Sequence, residues 1–202
     1  MSTVFLVDDD PSVRKALTRL LKSAGYEVEA FASARDFLDH PPGDGVACLV
    51  LDIRMPGLSG IDLQRHLNKS NSLLPVIFIT GHGDIPTSVN AMKAGAADFL
   101  PKPLKEKDLL TAIEQALVRS AREHAARSEV NQIQQRVASL TPREREVLER
   151  VVLGQLNKQV AYDLGTVEKT IKVHRARVMQ KMGVESLADL VRVAERVGIG
   201  KR

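Results

Sequence analysis

Cysteine is almost absent from these 202 residues. Cys48 stands alone, so no internal disulfide can form, and the usage fits a reducing compartment. Its place inside an apolar run predicts plain core packing. Long hydrophobic runs are lacking too. None approaches the roughly 20 residues that cross a bilayer, which excludes a membrane-spanning helix. No basic stretch followed by an apolar one opens the chain, so no export leader is visible. Together these gaps predict a cytoplasmic protein with no membrane partner. His82 has no second ligand at metal spacing, which leaves it a supporting loop residue.

What is present is ordinary in amount and uneven in placement. Apolar residues make up 44% and charged ones 27%, enough for one large or two small globular domains. The net charge of +4 conceals a gradient. Residues 1–118 hold 12 Lys and Arg against 15 Asp and Glu, residues 119–138 hold 4 against 2, and residues 139–202 hold 13 against 8. An acidic front with a basic tail predicts that the tail meets a polyanion.

Up to about residue 118, strand-like and helix-like segments alternate. Apolar runs at 4–7, 27–31, 46–51, 76–79 and 97–100 are separated by amphipathic stretches, such as Val13, Leu17, Leu20 and Leu21 with Gly25 as the stop. Five strands with intervening helices predict an α/β, doubly wound, five-stranded parallel sheet. A further helix starts near Lys105, with Leu109, Ile113, Ala116 and Leu117 facing inward. Charge and alanine then dominate to Glu129 before Val130, Ile133 and Val137 resume a spaced row. That stretch reads as a helical, mostly solvated connector.

A second, all-α unit of four helices opens at Leu140. Thr141-Pro142-Arg143-Glu144 combines an N-cap, Pro in the first helical position and Glu three residues after the cap. Val147, Leu148, Val151 and Val152 form the buried face of that helix, and Asn157 is placed to cap the next. A tight Gly165 turn leads into a helix over 168–182, and a last one spans 186–197. Two helices joined this way predict a helix-turn-helix. The predicted division is therefore 1–120, a linker over 121–138, and 139–202.

Three of the strand-like runs end in polar residues at what becomes one sheet edge: Asp8-Asp9-Asp10, Asp52 and Thr80. In open α/β sheets, ligands bind at that carboxyl edge. Carboxylates gathered there repel one another unless a cation joins them, and Mg²⁺ prefers such oxygen donors. A carboxylate can attack a phosphoryl group and form an aspartyl-phosphate. Mg²⁺ on Asp9 and Asp52, with Lys102, would neutralise the transferred group, and Thr80 could hydrogen-bond it.

Residues 1–120 resemble the receiver domain of two-component response regulators, a flavodoxin-like fold. The residues that carry the likeness are Val7-Asp8-Asp9-Asp10, Leu51-Asp52-Ile53-Arg54-Met55-Pro56-Gly57, Thr80-Gly81-His82-Gly83-Asp84, Ala94-Gly95-Ala96 and Phe99-Leu100-Pro101-Lys102-Pro103. The resemblance implies Asp52 as phosphoacceptor, and Asp9 and Asp52 as direct ligands of Mg²⁺. It adds the backbone carbonyl of Arg54 as a ligand and Asp8 acting through water, with Asp10 just outside the shell. Thr80 and Phe99 match the switch pair of the family, and the Lys102-Pro103 bond is expected to be cis.

In the basic tail, a wheel of 168–182 puts Ile171, Val178 and Met182 inward. Lys169, Val173, Ala176 and Gln180 point the other way, flanked by Lys172 and Arg177. Such a face suits a major groove. Residues 140–199 resemble the LuxR-type helix-turn-helix of the NarL/FixJ class, carried by Leu140 to Leu148, Asn157-Lys158-Gln159-Val160-Ala161 and Thr170 to Arg177. The resemblance implies Lys172, Val173 and His174 as base readers, and Asn157, Lys158, Lys169 and Arg177 as phosphate contacts. Where that family usually has Ser or Thr at the helix start, this chain has Val167, with Thr166 placed to cap one residue earlier.

The function expected is a phosphorylation-dependent transcriptional regulator that takes its phosphoryl group from a sensor histidine kinase on Asp52. It would bind double-stranded promoter DNA as a homodimer when phosphorylated, with no enzymatic turnover beyond its own phosphotransfer and dephosphorylation. One rival is a haloacid-dehalogenase-like phosphatase with Asp8 as nucleophile. It needs a second acidic pair late in its core, and none follows Thr80. The other is a DNA-binding dimer indifferent to phosphorylation.

Overall fold

The computed structural model describes residues 2–40, 43, 45–81, 92 and 95–200, which divide into two compact units, Met1–Ala125 and Ala126–Arg202. His82-Gly83-Asp84 and Ala94, part of the motif set, lie outside the described residues. Among the described residues, no helix is long and apolar enough to cross a membrane.

The first unit carries strands β1 (Thr3–Val7), β2 (Glu27–Phe31), β3 (Ala47–Asp52), β4 (Val76–Thr80) and β5 (Asp98–Pro101). All pair in parallel, in the order β2-β1-β3-β4-β5. Alternation along the strands divides the apolar residues between two faces. Val4, Leu6, Cys48, Val50, Ile77 and Ile79 form one cluster with Leu17 and Leu21 of α1 (Pro11–Ser23). Leu109, Ile113 and Ala116 join them from the helix that begins at Glu106. Phe5, Val7, Leu49, Leu51 and Phe78 form the other, with Phe37 of α2 (Ala34–Asp39) and Leu63 and Leu67 of α3 (Gly60–Lys69). A central strand covered on both faces has no polar side to offer, which is why β3 is buried along its whole length. Cys48 is fully buried, and burial pushes its thiol up to about 12.

Helix α4 (Glu106–Ala138) runs without a break for 33 residues. Its first turns belong to the first unit, where Ser120, fully buried, accepts the Ala47 N–H at 3.2 Å. The stretch 121–132 has no buried residue, as a solvated connector requires. The row that follows differs from its reading as exposed. Ile133 and Val137 lie in the core of the second unit, because the apolar spacing there matches a partner face that the linear pattern does not show.

That core joins α5 (Pro142–Val152), α6 (Asn157–Asp163), α7 (Glu168–Met182) and α8 (Leu187–Arg196). The capping box at Thr141 and Glu144 forms as expected. Glu144 is also almost fully buried, and its Oε2 accepts Lys181 Nζ at 2.6 Å and the Thr141 N–H at 2.9 Å. Those partners, Lys181 first, hold its carboxyl down at about 2. Two expected caps are displaced. Asn157 is the first helical residue of α6 rather than its cap, and Leu156 takes the cap position with its N–H held by Gln159 Oε1 at 2.7 Å. Val167, not Thr166, caps α7, and it supplies no side-chain hydrogen bond. Gly165, between the two helices, sits at φ +61°, a left-handed conformation in which a Cβ would be strained.

Candidate functional site

Strand order 2-1-3-4-5 reverses direction between β1 and β3, and the carboxyl ends of those two strands are where a crevice opens. Asp8 and Asp9 follow β1, and Asp52 closes β3. Arg14 of α1 braces the first loop by donating to the carbonyls of Asp8 at 2.7 Å and Asp9 at 2.8 Å. Asp10 is spent as the cap of α1, accepting the N–H groups of Ser12 at 2.7 Å and Val13 at 3.4 Å. It lies outside the cluster formed by Asp8, Asp9 and Asp52.

Asp8, Asp9 and Asp52 each place one carboxylate oxygen within 4.8 Å of the others. Asp8 is fully buried, Asp52 nearly so, and Asp9 is exposed, so the cluster has one open side. Lys102, from the loop after β5, puts Nζ between two of them, 2.8 Å from Asp8 Oδ2 and 2.6 Å from Asp52 Oδ2. The second oxygen of each is taken by a backbone amide: Asp10 N–H donates to Asp8 Oδ1 at 2.9 Å, and Arg54 N–H to Asp52 Oδ1 at 3.1 Å. Burial raises the Asp8 pKa, against the pull of Lys102 and the Asp10 amide. Burial also works against the Lys102 charge, but the hydrogen bonds to Asp52 and Asp8 outweigh it and hold the ammonium above its ordinary range.

Thr80 is buried at the end of β4, one residue past the partner of Asp52 in the β3–β4 register, and its carbonyl accepts the Lys102 N–H at 2.6 Å. The Lys102–Pro103 bond is cis. Phe99 is half-buried on β5 opposite Phe78 and packs against the α2/α3 face of the sheet. The fold thus joins Asp8, Asp9, Asp52 and Lys102 directly and sets Thr80 at the same edge, while Phe99 stands behind it in the neighbouring strand.

Gly60 escaped sequence reading. The first residue of α3 lies so close to the end of β3 that a Cβ on it would collide with Asp52 O and come within 3.1 Å of Ile53 Cα. Its N–H donates to Ile53 O at 3.0 Å. The signal available was a glycine where a helix begins, an ambiguous one without the fold.

In the second unit, Ile171, Val178 and Met182 of α7 are buried as the wheel predicted, and Lys169, Lys172, Val173, Ala176 and Arg177 are exposed. Lys172 pairs with Glu168 at 3.1 Å on the surface. Lys158 is exposed on α6. Asn157 and His174 are half-buried; Asn157 Oδ1 accepts from Arg175 at 3.2 Å, and His174 Nδ1 is enclosed with no hydrogen-bond partner among the described residues. Arg143 donates to the Leu164 carbonyl and ties the start of α5 to the end of α6.

A parallel sheet with an acidic pocket at its carboxyl edge, followed by a helical unit with an exposed basic helix, defines a class: a receiver joined to a DNA-binding output. Residues 4–114 match the response regulator receiver domain, and residues 138–194 match the bacterial regulatory proteins of the luxR family. The chain is 49% identical to nodulation protein W of Bradyrhizobium diazoefficiens, over 97% of this chain and 86% of that one. It is 47% identical to the transcriptional regulatory protein FixJ of the same species, over 97% and 96%. Among solved structures, the response regulator StyR superposes with a TM-score of 0.87 at 53% identity, covering 96% of this chain and 98% of that one. Full-length FixJ from B. japonicum superposes with a TM-score of 0.59 at 43% identity, covering 97% of each.

This chain belongs to the response regulators that carry a receiver domain and a LuxR-type DNA-binding domain. It is a phosphorylation-dependent regulator of transcription.

Proposed function

We propose that Asp52 is the side chain that receives the phosphoryl group, and that a sensor histidine kinase supplies it. An Asp52 oxygen forms the new O–P bond as the N–P bond of the donor's phosphohistidine breaks, and the imidazole leaves with its electron pair. The single observation that carries this assignment is the setting of Asp52: nearly buried at the sheet edge, with Lys102 Nζ on one oxygen and the Arg54 amide on the other. Both donors fix the direction of the carboxylate, and Lys102 brings positive charge beside it; positioning with charge neutralisation is most of what phosphoryl transfer requires.

The donor set fits Mg²⁺. It consists of hard carboxylate oxygens from three residues within 4.8 Å of one another, with one side open. Asp9 and Asp52 would hold the ion directly, with the Arg54 carbonyl, and Asp8 through water. When bound, it supplies a second positive charge beside the phosphoryl oxygens. Thr80 donates its hydroxyl to the phosphorylated side chain, and Phe99 follows its movement. Lys172, Val173 and His174 then read bases, while Asn157, Lys158, Lys169 and Arg177 hold phosphates of promoter DNA in a homodimer. The site turns over no external substrate; its chemistry is self-phosphorylation and loss of its own phosphate, in the cytoplasm.

The phosphatase reading loses ground on a further observation. Asp10, the acid such an enzyme would use, is engaged as a helix cap, and no second acidic cluster occurs among the described residues. The test is incubation with acetyl phosphate and Mg²⁺. The wild-type chain is expected to become acyl-phosphorylated and to bind DNA more tightly, and Asp52→Asn to do neither. Labelling retained in Asp52→Asn, or DNA affinity unchanged by beryllofluoride, would overturn the reading.

A further inference from the structure

The Val167 backbone carbonyl accepts the N–H groups of Thr170 at 3.0 Å and Ile171 at 3.3 Å, but its side chain serves nothing inside its own fold. It stands in the N-cap position of α7 with extended backbone (φ −100°, ψ 150°), yet its side chain has no oxygen to offer the remaining N–H groups of the first turn. Nor does it pack: 65% of it is exposed, and the buried cluster of the helical unit does not include it. Thr166 does not take over the cap, and its own N–H is bound to Ala161 O at 2.9 Å. A stiff apolar side chain is thus exposed at the leading end of a helix that also exposes Lys169, Lys172 and Val173.

We propose that Val167 determines sequence preference by contacting the 5-methyl group of a thymine in each half-site. The inference rests on the reading of α7 as the helix that enters the groove. The first residues of such a helix meet base edges. A phosphate is a poor occupant of the space before Val167, since burying its oxygens against an isopropyl group removes water and returns no hydrogen bond. Within the major groove, thymine alone among the bases carries a methyl group, and apolar contact is how that group is distinguished. The isopropyl group therefore matches one base and mismatches the backbone. A hydroxyl at the same position would cap the helix and could face a phosphate instead.

The experiment uses the full chain, activated with beryllofluoride, and a pool of duplexes with randomised half-sites. Wild-type protein is expected to enrich one thymine per half-site that Val167→Ser does not. Uracil in place of that thymine removes only the methyl group. It should weaken wild-type binding about four-fold, the fold-change that matches one buried methyl-sized group, and leave Val167→Ser unaffected. The same substitution restores a cap, so the helical unit of the variant should melt roughly 4 °C higher, which shows that it is folded. The inference is overturned if Val167→Ser enriches the same thymine, if uracil weakens both proteins equally, or if the folded variant loses all DNA binding. A wild-type chain that enriches no sequence would instead sink the DNA-binding reading on which the inference rests.

Discussion

Asp52 is held from three directions, and each hold involves a different kind of residue. Lys102 supplies charge, the Arg54 amide supplies a directed hydrogen bond, and Gly60 supplies only the absence of a side chain. The last is the least obvious and the most sensitive. Any Cβ at position 60 meets backbone, not the end of a flexible side chain, so the Asp52–Ile53 peptide must move. Displacements of that size at a reacting group cost rate steeply. Gly60→Ala is therefore expected to slow phosphorylation by acetyl phosphate at least about ten-fold while leaving the melting of the helical unit unchanged. A wild-type rate in the variant would show that the loop absorbs the collision. At this scale the sequence was informative about placement: strand ends and a family likeness singled out Asp8, Asp9, Asp52 and Lys102, which the fold brings together. It was silent about Gly60, because a forbidden volume is a property of two segments brought together.

Among the elements, α4 is the one whose character changes along its length. It opens as the last layer of the receiver sheet, passes through an exposed charged stretch, and ends inside the core of the other unit. The final turns are fastened by more than Ile133 and Val137. Arg136 donates to Met182 O at 2.9 Å, and Arg196 pairs with Glu129. A fragment starting at Ala126 should therefore be more stable than one starting at Ser139 by about 3–6 kcal/mol, the burial of two aliphatic side chains. Urea unfolding of the two fragments checks this, and equal midpoints would mean that the turns 126–138 add nothing. The strands were legible to within a residue, since apolar runs bounded by polar loops carry a strong signal: the run at 4–7 became Thr3–Val7. Caps were less legible. Asn157 and Thr166 are good capping residues by type, but the chain enters each helix one residue away from where they stand.

For the whole molecule, the charge gradient is the feature that bears on function. The excess of cations lies in the part that includes α7, and Lys169 and Arg177 there, with Lys158 of α6, are exposed. The proposal that each of these three holds a phosphate, in a complex of two copies, predicts a slope near −5 for the logarithm of DNA affinity against that of salt concentration. Arg177→Ala should make the slope shallower by about 2 without changing which sequence is preferred. An unaltered slope would remove Arg177 from the phosphate contacts. Val173→Ala, by contrast, should change the preference and leave the slope alone.

Read alone, the sequence was enough for the fold class and the family, and it pointed to the acids that the fold gathers at one sheet edge. Those properties follow from local patterns: apolar period, strand-end acids, a turn glycine, a capping box. The tertiary structure decided which oxygens Lys102 bridges, that Gly60 must lack a side chain, that Ile133 and Val137 are core, and that Val167 faces outward uncapped. Each of those depends on a distance between residues remote in the chain or on the direction in which a segment leaves a turn. Neither quantity is present in a linear pattern until the segments pack.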